Sequence, residues 1–203
     1  MSKISIILFD LGGVIVNWHD SWLIREISHN FGISEEKLSK EFERNLNDLS
    51  SGKIQEIEFW HRIGQRIHSP RLQNLNNSLF YGYFKKHAKP NKSILSLSRN
   101  LKKKGLGIGI LSNIEHVTYS IVEDWKLLDH FDHKFLSYKI GFSKPDRRIY
   151  QHVIESLPYK KEELFFIDNT PSYVESALSS GIDSVQFVSN EQLIKELQKK
   201  HVL

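Results

Sequence analysis

The sequence predicts an α/β protein: a doubly wound parallel sheet carrying an inserted helical domain. Three observations support this. Short, mostly apolar runs recur at 4–9, 106–111 and 164–167, apolar on both parities, as strands covered by helices on both faces must be. From residue 90 onward, strand-like and helix-like stretches alternate, the pattern of a parallel sheet wound with helices. Residues 17–88 contain no such run and read as helix throughout, which divides the chain into a core of 1–16 and 89–203 and an insertion of 17–88.

Taken in order, the first run ends on Asp10, followed by Gly12 and Gly13, which let the backbone turn sharply and approach whatever the carboxylate faces. Trp22, Leu23, Ile27 and Phe31 then recur at helical spacing, with Gly32 just past the helix end. Ser34 can cap the next helix, whose Leu38, Phe42 and Leu46 share one face. The span 54–67 repeats the pattern, and 79–84 is an aromatic cluster. These stripes read as the core of a small helical bundle, and core packing also explains Trp18, Trp60 and Tyr81 more simply than a substrate pocket does.

In the second half, 93–104 is an amphipathic helix with lysines in its last turn and Gly105 beyond. The strand 106–111 ends on Ser112 and Asn113, a helix covers 114–128, and 134–137 is a short strand. Pro145 suits the first turn of a helix running through Ser156. The strand 164–167 ends on Asp168 and Asn169, Pro171 opens a helix that closes at Gly181, and 184–188 is a last strand. Ser189 with Gln192 forms a capping box for the final helix.

Composition excludes several classes. With 39% hydrophobic and 26% charged residues, the chain is neither disordered nor membrane-spanning in character. No apolar run approaches the ~18 residues a membrane helix needs. The apolar start is interrupted by Asp10 and lacks a small-residue cleavage site, so a cytoplasmic protein is expected. The absence of cysteine excludes disulfides, thiolate metal sites and a cysteine nucleophile. The net charge of +4 mildly favours anionic ligands, yet the lysines are dispersed, so no nucleic acid partner is expected.

The chemistry lies in four strand or loop ends: Asp10; Ser112 with Asn113; Lys144; Asp168 with Asn169. In a parallel sheet such ends converge on one crevice. Two carboxylates and an amide oxygen there suit a hard cation such as Mg²⁺, while Lys144 and the Ser112 hydroxyl suit an oxyanion. A carboxylate kept ionised beside a lysine can attack phosphorus.

Four segments carry a resemblance: Phe9-Asp10-Leu11-Gly12-Gly13-Val14-Ile15; Ile110-Leu111-Ser112-Asn113; Ser143-Lys144-Pro145-Asp146-Arg147-Arg148-Ile149-Tyr150; and Phe166-Ile167-Asp168-Asn169 leading into Val174-Glu175-Ser176-Ala177. In this order and spacing the chain resembles a haloacid dehalogenase-like hydrolase with a helical cap inserted after the first motif. The resemblance implies Asp10 as nucleophile and metal ligand, Ser112 and Asn113 as phosphoryl contacts, and Lys144 as the charge bridging nucleophile and phosphate. It also implies Gly12, Asp168 and Asn169 as metal-site residues and Mg²⁺ as cofactor. The expected function is hydrolysis of a small phosphorylated metabolite, such as a sugar phosphate, by a monomer or homodimer.

Two positions depart from the family pattern. Most of its phosphatases carry an aspartate two residues after the nucleophile to protonate the leaving group, where this chain has Gly12; such acid–base help is worth ~10²–10⁴ in rate. Asn169 stands where a second acid is commoner, which weakens the expected metal site. His19 and Asp20 lie where the chain leaves the core and can reach the crevice, although a surface role accounts for both. The departures leave two alternatives: a binding or regulatory protein on the same scaffold, and a metal-independent 2-haloacid dehalogenase.

Overall fold

The computed structural model describes residues 3–203. The chain forms β1 (Ile6–Phe9) and β2 (Val16–Asn17), then the helices α1 (Asp20–Phe31), α2 (Glu35–Ser50), α3 (Glu56–Arg66), α4 (Pro70–Gln73) and α5 (Leu79–His87). It returns through β3 (Lys89–Pro90) to α6 (Lys92–Lys103), β4 (Gly107–Ser112), α7 (His116–Asp124), β5 (His133–Leu136) and α8 (Ser137–Ile140). The last elements are α9 (Arg147–Ser156), β6 (Leu164–Asp168), α10 (Pro171–Ser179), β7 (Asp183–Gln186) and α11 (Asn190–Lys199). Among the described residues no helix is long and apolar enough to cross a membrane.

Five strands form one parallel sheet in the order β5-β4-β1-β6-β7, which puts β1 at the centre. All four β1 residues are fully buried, and their alternation explains why. Ile7 and Phe9 pack into one apolar layer with Leu95, Leu101 and Val122, whereas Ile6 and Leu8 pack into another with Ile149, Tyr150, Val153 and Ala177. Each such side chain contributes roughly 1.5–3 kcal/mol by leaving water, so a strand apolar on both parities is stable only between two helical layers.

The helical insertion has its own packing logic. Phe42, Phe59, Trp60 and Phe80 meet with ring centroids 4.9–6.3 Å apart. Beside them, the buried Glu56 accepts from Trp60 Nε1 (3.0 Å), Ser78 Oγ (2.5 Å) and the backbone N–H groups of Leu79 and Phe80 (2.7 and 2.9 Å). A buried carboxylate so fully bonded fixes the start of α3 to the start of α5.

Some elements differ from expectation. The helix expected over 114–128 ends at Asp124, and Lys126 adopts a left-handed φ of 56°, which no continuing helix allows. Pro145 does not open a helix: α9 starts at Arg147, and the Asp146 side chain caps it by accepting from Arg148 N. Ser189 caps α11 as expected, yet Gln192 Oε1 accepts from Val188 N instead of closing a capping box. The short antiparallel pair β2–β3, with Val16 opposite Pro90, was not legible in two-residue segments; it ties together the two points where the chain leaves and rejoins the core.

Candidate functional site

Strand register builds the floor of the site. Phe9 stands opposite Ile110 on one side and Ile167 on the other, so Asp10, Leu111 and Asp168 lie at one level, each one residue further along its strand. The backbone confirms this, with Asp10 N donating to Ile167 O at 2.8 Å. Lys144 Nζ reaches all three: Asp10 Oδ1 at 2.8 Å, Leu111 O at 3.0 Å and Asp168 Oδ2 at 2.5 Å. It also sits 5.1 Å from the ring centres of both Phe166 and Tyr173, within cation–π range.

The lysine reaches that position because its peptide unit is clamped. Asn113 Oδ1 accepts from Lys144 N at 2.7 Å, and Asn113 Nδ2 donates to Lys144 O at 2.8 Å. Asn113 also bonds Tyr173 Oη at 3.3 Å, and Tyr150 Oη donates to Tyr173 O at 2.8 Å. The end of β4, the Lys144 loop and the helices α9 and α10 are thus cross-linked by polar groups that would each cost about 1–3 kcal/mol to leave buried and unpaired.

Burial and charge compete at the floor. Burial raises the Asp10 pKa to about 6, with Asp168 adding to the rise and Lys144 opposing it. Burial alone would lower the Lys144 pKa, but Asp10 and Asp168 hold it above the ordinary lysine value. The lysine therefore stays cationic, and Asp10 is ionised at neutral pH. Asp168 is wholly buried, with Oδ2 on Lys144 and Oδ1 accepting from Thr170 N at 2.8 Å.

Above this floor lies a cavity of about 430 Å³, a size suited to a small ligand. Asp10, Gly12, Ser112, Asn113, Lys144 and Asn169 line it from the sheet edge, and Trp18, Asp20, Glu43, Asn47, Phe80 and Phe84 line it from the helical insertion. The structure thus brings every predicted site residue together; all but Asp168 line the cavity, and Asp168 joins the set through its bond to Lys144. Ser112 Oγ has only a 3.5 Å contact to Asn113 O, so its hydroxyl can turn into the cavity.

The two glycines differ. Gly13 has φ +82°, and a Cβ there would lie 2.6 Å from Asn169 Nδ2, so it serves both the turn and a close approach to Asn169. Gly12 carries no positive φ, and a Cβ there would meet nothing within 4 Å. The loop's own bonds, Val16 N to Leu11 O and Gly13 N to Val16 O, run around Gly12.

The donor chemistry fits a hard cation. Asp10, Gly12 and Asn169 all line the cavity, and they offer a carboxylate, a backbone carbonyl and an amide oxygen, the donor type Mg²⁺ prefers. Among the described residues no group of three His, Cys, Asp or Glu side chains forms a metal cage. A site of this composition would rely on water and substrate oxygens to complete the shell, the usual Mg²⁺ arrangement.

Hydrogen bonds join the insertion to the same side of the core. Ser143 Oγ donates to Asn47 Oδ1 at 2.7 Å, and Ser137 Oγ donates to Ser50 O at 2.5 Å while accepting from Ile114 N at 2.9 Å. Asn47, Tyr173 and Glu115 were not identified from sequence. Tyr173 lies in the first turn of α10, just past the segment ending on Asn169, and that proximity was the available signal. Trp18 lines the cavity, whereas Trp60 is buried in the insertion and Tyr81 is exposed.

Comparison with known proteins agrees with this geometry. A family profile described as haloacid dehalogenase-like hydrolase matches residues 7–187. A D-ribitol-5-phosphate phosphatase of Bacteroides thetaiotaomicron is 24% identical over 89% of this chain and 90% of its own length. Among solved structures, a HAD-like hydrolase of Porphyromonas gingivalis superposes with a TM-score of 0.79 at 24% identity, covering 98% of both chains. A HAD family enzyme of B. thetaiotaomicron in complex with magnesium and inorganic phosphate gives 0.73 at 23% identity, over 91% of this chain and 94% of that one. Some relatives are much longer: the chain spans 35% of a drimenol cyclase from Aspergillus calidoustus and 21% of the rat bifunctional epoxide hydrolase 2.

Proposed function

The chain belongs to the haloacid dehalogenase-like hydrolases, and from that premise we propose that it is a Mg²⁺-dependent phosphatase cleaving a small phosphomonoester, such as a sugar or polyol phosphate, through an aspartyl phosphate on Asp10. The observation that supports this best is the Lys144 ammonium held between Asp10 and Asp168 at the floor of the cavity. An ionised carboxylate is the nucleophile, and the lysine offsets the charge of an incoming phosphate beside it.

In this reading the Asp10 carboxylate attacks phosphorus while Ser112 Oγ and Lys144 Nζ bond the phosphoryl oxygens. Asn113, its amide committed to the Lys144 peptide unit and Tyr173, keeps the lysine in place beside the anion. The alcohol leaves, and water then attacks phosphorus, restoring Asp10 and releasing phosphate. The residues to hold Mg²⁺ are Asp10, the Gly12 carbonyl and Asn169, with Asp168 adding its charge from behind Lys144. When bound there, the ion neutralises phosphoryl charge. Residues 17–88 act as a cap that shields the cavity, while 1–16 and 89–203 supply the chemistry.

The D-ribitol-5-phosphate phosphatase among the relatives and the magnesium–phosphate complex among the structural neighbours support the substrate class and the cofactor. Cytoplasmic action on a soluble metabolite follows from the same reading. A panel of sugar, polyol and aryl phosphates, assayed for phosphate release with and without Mg²⁺, tests it: turnover should require Mg²⁺ and vanish in Asp10→Asn. Folded protein inactive across the panel would instead support a binding role, which Gly12 and Asn169 favour. Metal-independent chloride release from 2-chloropropionate would support a dehalogenase.

A further inference from the structure

The proposed reaction needs a proton for the departing alkoxide, and position 12 cannot give one. Space beside the nucleophile is open there, since a Cβ on Gly12 would touch nothing within 4 Å. Three carboxyl groups besides Asp10 line the cavity: Asp20, Glu43 and Glu115. Glu115 is committed to the backbone of α7, accepting from Val117 N at 2.5 Å and Thr118 N at 2.9 Å. Glu43 is exposed to solvent on α2.

Asp20 is placed differently. It is the first residue of α1, and the path to it is short and constrained: Gly12 bridges to Val16, Val16 pairs with Pro90, and α1 follows three residues after β2. Trp18 Nε1 donates to Asp20 Oδ1 at 3.0 Å, and the Trp18 ring is itself buried against Phe84, with centroids 5.0 Å apart. The carboxyl is therefore aimed by a packed indole. Burial raises its pKa above the ordinary aspartate value, with Trp18 and then His19 opposing the rise, so it holds a proton more readily than a surface aspartate.

Resting on the phosphatase reading, we propose that Asp20 is the general acid–base of this site, taking from the insertion side the role that no side chain fills at position 12. As Asp10 attacks and the bond from phosphorus to the ester oxygen breaks, the Asp20 carboxyl gives its proton to that oxygen and the alcohol leaves. In the second step the Asp20 carboxylate takes a proton from water as the water oxygen bonds phosphorus. The bond from phosphorus to Asp10 then breaks, inorganic phosphate departs, and both aspartates regain their starting states. Such a site accepts alkyl and polyol esters, whose poor leaving groups need a proton.

The test uses the full chain with Mg²⁺ and substituted phenyl phosphates running from p-nitrophenyl to p-methoxyphenyl, which share a shape and differ in leaving-group acidity. Asp20→Asn keeps an acceptor for the Trp18 indole. It should lower kcat/KM about 100-fold or more on p-methoxyphenyl phosphate, within the ~10²–10⁴ range for lost acid catalysis, and less than tenfold on p-nitrophenyl phosphate. Adding Gly12→Asp to Asp20→Asn should restore the poor-leaving-group substrates at least tenfold. Equal losses across the series would mark Asp20 as a structural residue and overturn the proposal, as would no loss at all. Wild-type protein that turns over none of the esters would overturn the phosphatase reading itself, and the role of Asp20 with it.

Discussion

Lys144 donates to Asp168 at 2.5 Å with neither side chain exposed, and the same ammonium holds Asp10 at 2.8 Å. Two carboxylates at the carboxyl ends of neighbouring strands, Asp10 just past β1 and Asp168 closing β6, would repel across the sheet edge without this cation. The buried lysine therefore serves the fold and the proposed chemistry at once.

Lys144→Ala should accordingly destabilise the protein by about 3–5 kcal/mol, since it leaves two carboxylates buried without their partner. Denaturant unfolding at neutral pH reads this directly. Phosphatase activity should fall below detection in the same variant, and a stability loss under 1 kcal/mol would show that the pair is far weaker than its geometry implies.

Gly13→Ala and Gly12→Ala should behave in opposite ways. The first forces alanine to φ +82° and drives its Cβ against Asn169, a cost of about 1–3 kcal/mol, and it should raise the Mg²⁺ concentration needed for half-maximal activity several-fold. The second meets open space and should shift stability by less than about 1 kcal/mol. Thermal unfolding with a Mg²⁺ titration of activity compares them.

Asn47→Ala removes the acceptor of Ser143 Oγ, one residue before Lys144. The bond links the insertion to the loop that carries Lys144, and its net contribution is about 1 kcal/mol. KM should rise several-fold with global stability changed by no more than about 1 kcal/mol. Steady-state kinetics with calorimetry separate that outcome from a general loss of folding.

Glu115 supplies a pH test. Burial raises its pKa from the usual 4.5 to about 7 despite the backbone bonds it accepts, with Glu56 adding to the rise. Folding thus favours the protonated form: that contribution is complete below pH 4.5 and is lost as pH climbs through 7. At pH 8 the ionised group costs up to about 3 kcal/mol, and Glu115→Gln, which keeps a cap acceptor for α7, should recover most of it. Unfolding free energies of the two proteins should differ at pH 8 and converge near pH 4.5.

Much of this arrangement was legible in the sequence because strands buried on both faces announce themselves. The runs leading to Asp10, Ser112 and Asp168 are apolar on both parities, and the carboxyl ends of such strands meet at one edge by topology alone. Lys144 was grouped with these ends although no periodicity marks a loop, and the resemblance of its segment gave it a role. What stayed hidden depends on tertiary contact. The amide of Asn113 clamps a peptide 31 residues away, Trp18 bonds Asp20, and Asn47 meets Ser143 at the cavity wall. The difference between Gly12 and Gly13 was equally invisible, for adjacent letters in a sequence carry no φ.

The most direct test is to find the phosphate on the protein. Protein mixed with p-nitrophenyl phosphate and Mg²⁺, quenched in acid within a turnover and digested, should yield the peptide containing Asp10 with a phosphoryl adduct that is absent in Asp10→Asn and lost at alkaline pH. Phosphate release that proceeds at full rate in Asp10→Asn, or an adduct found on another residue, would contradict the account.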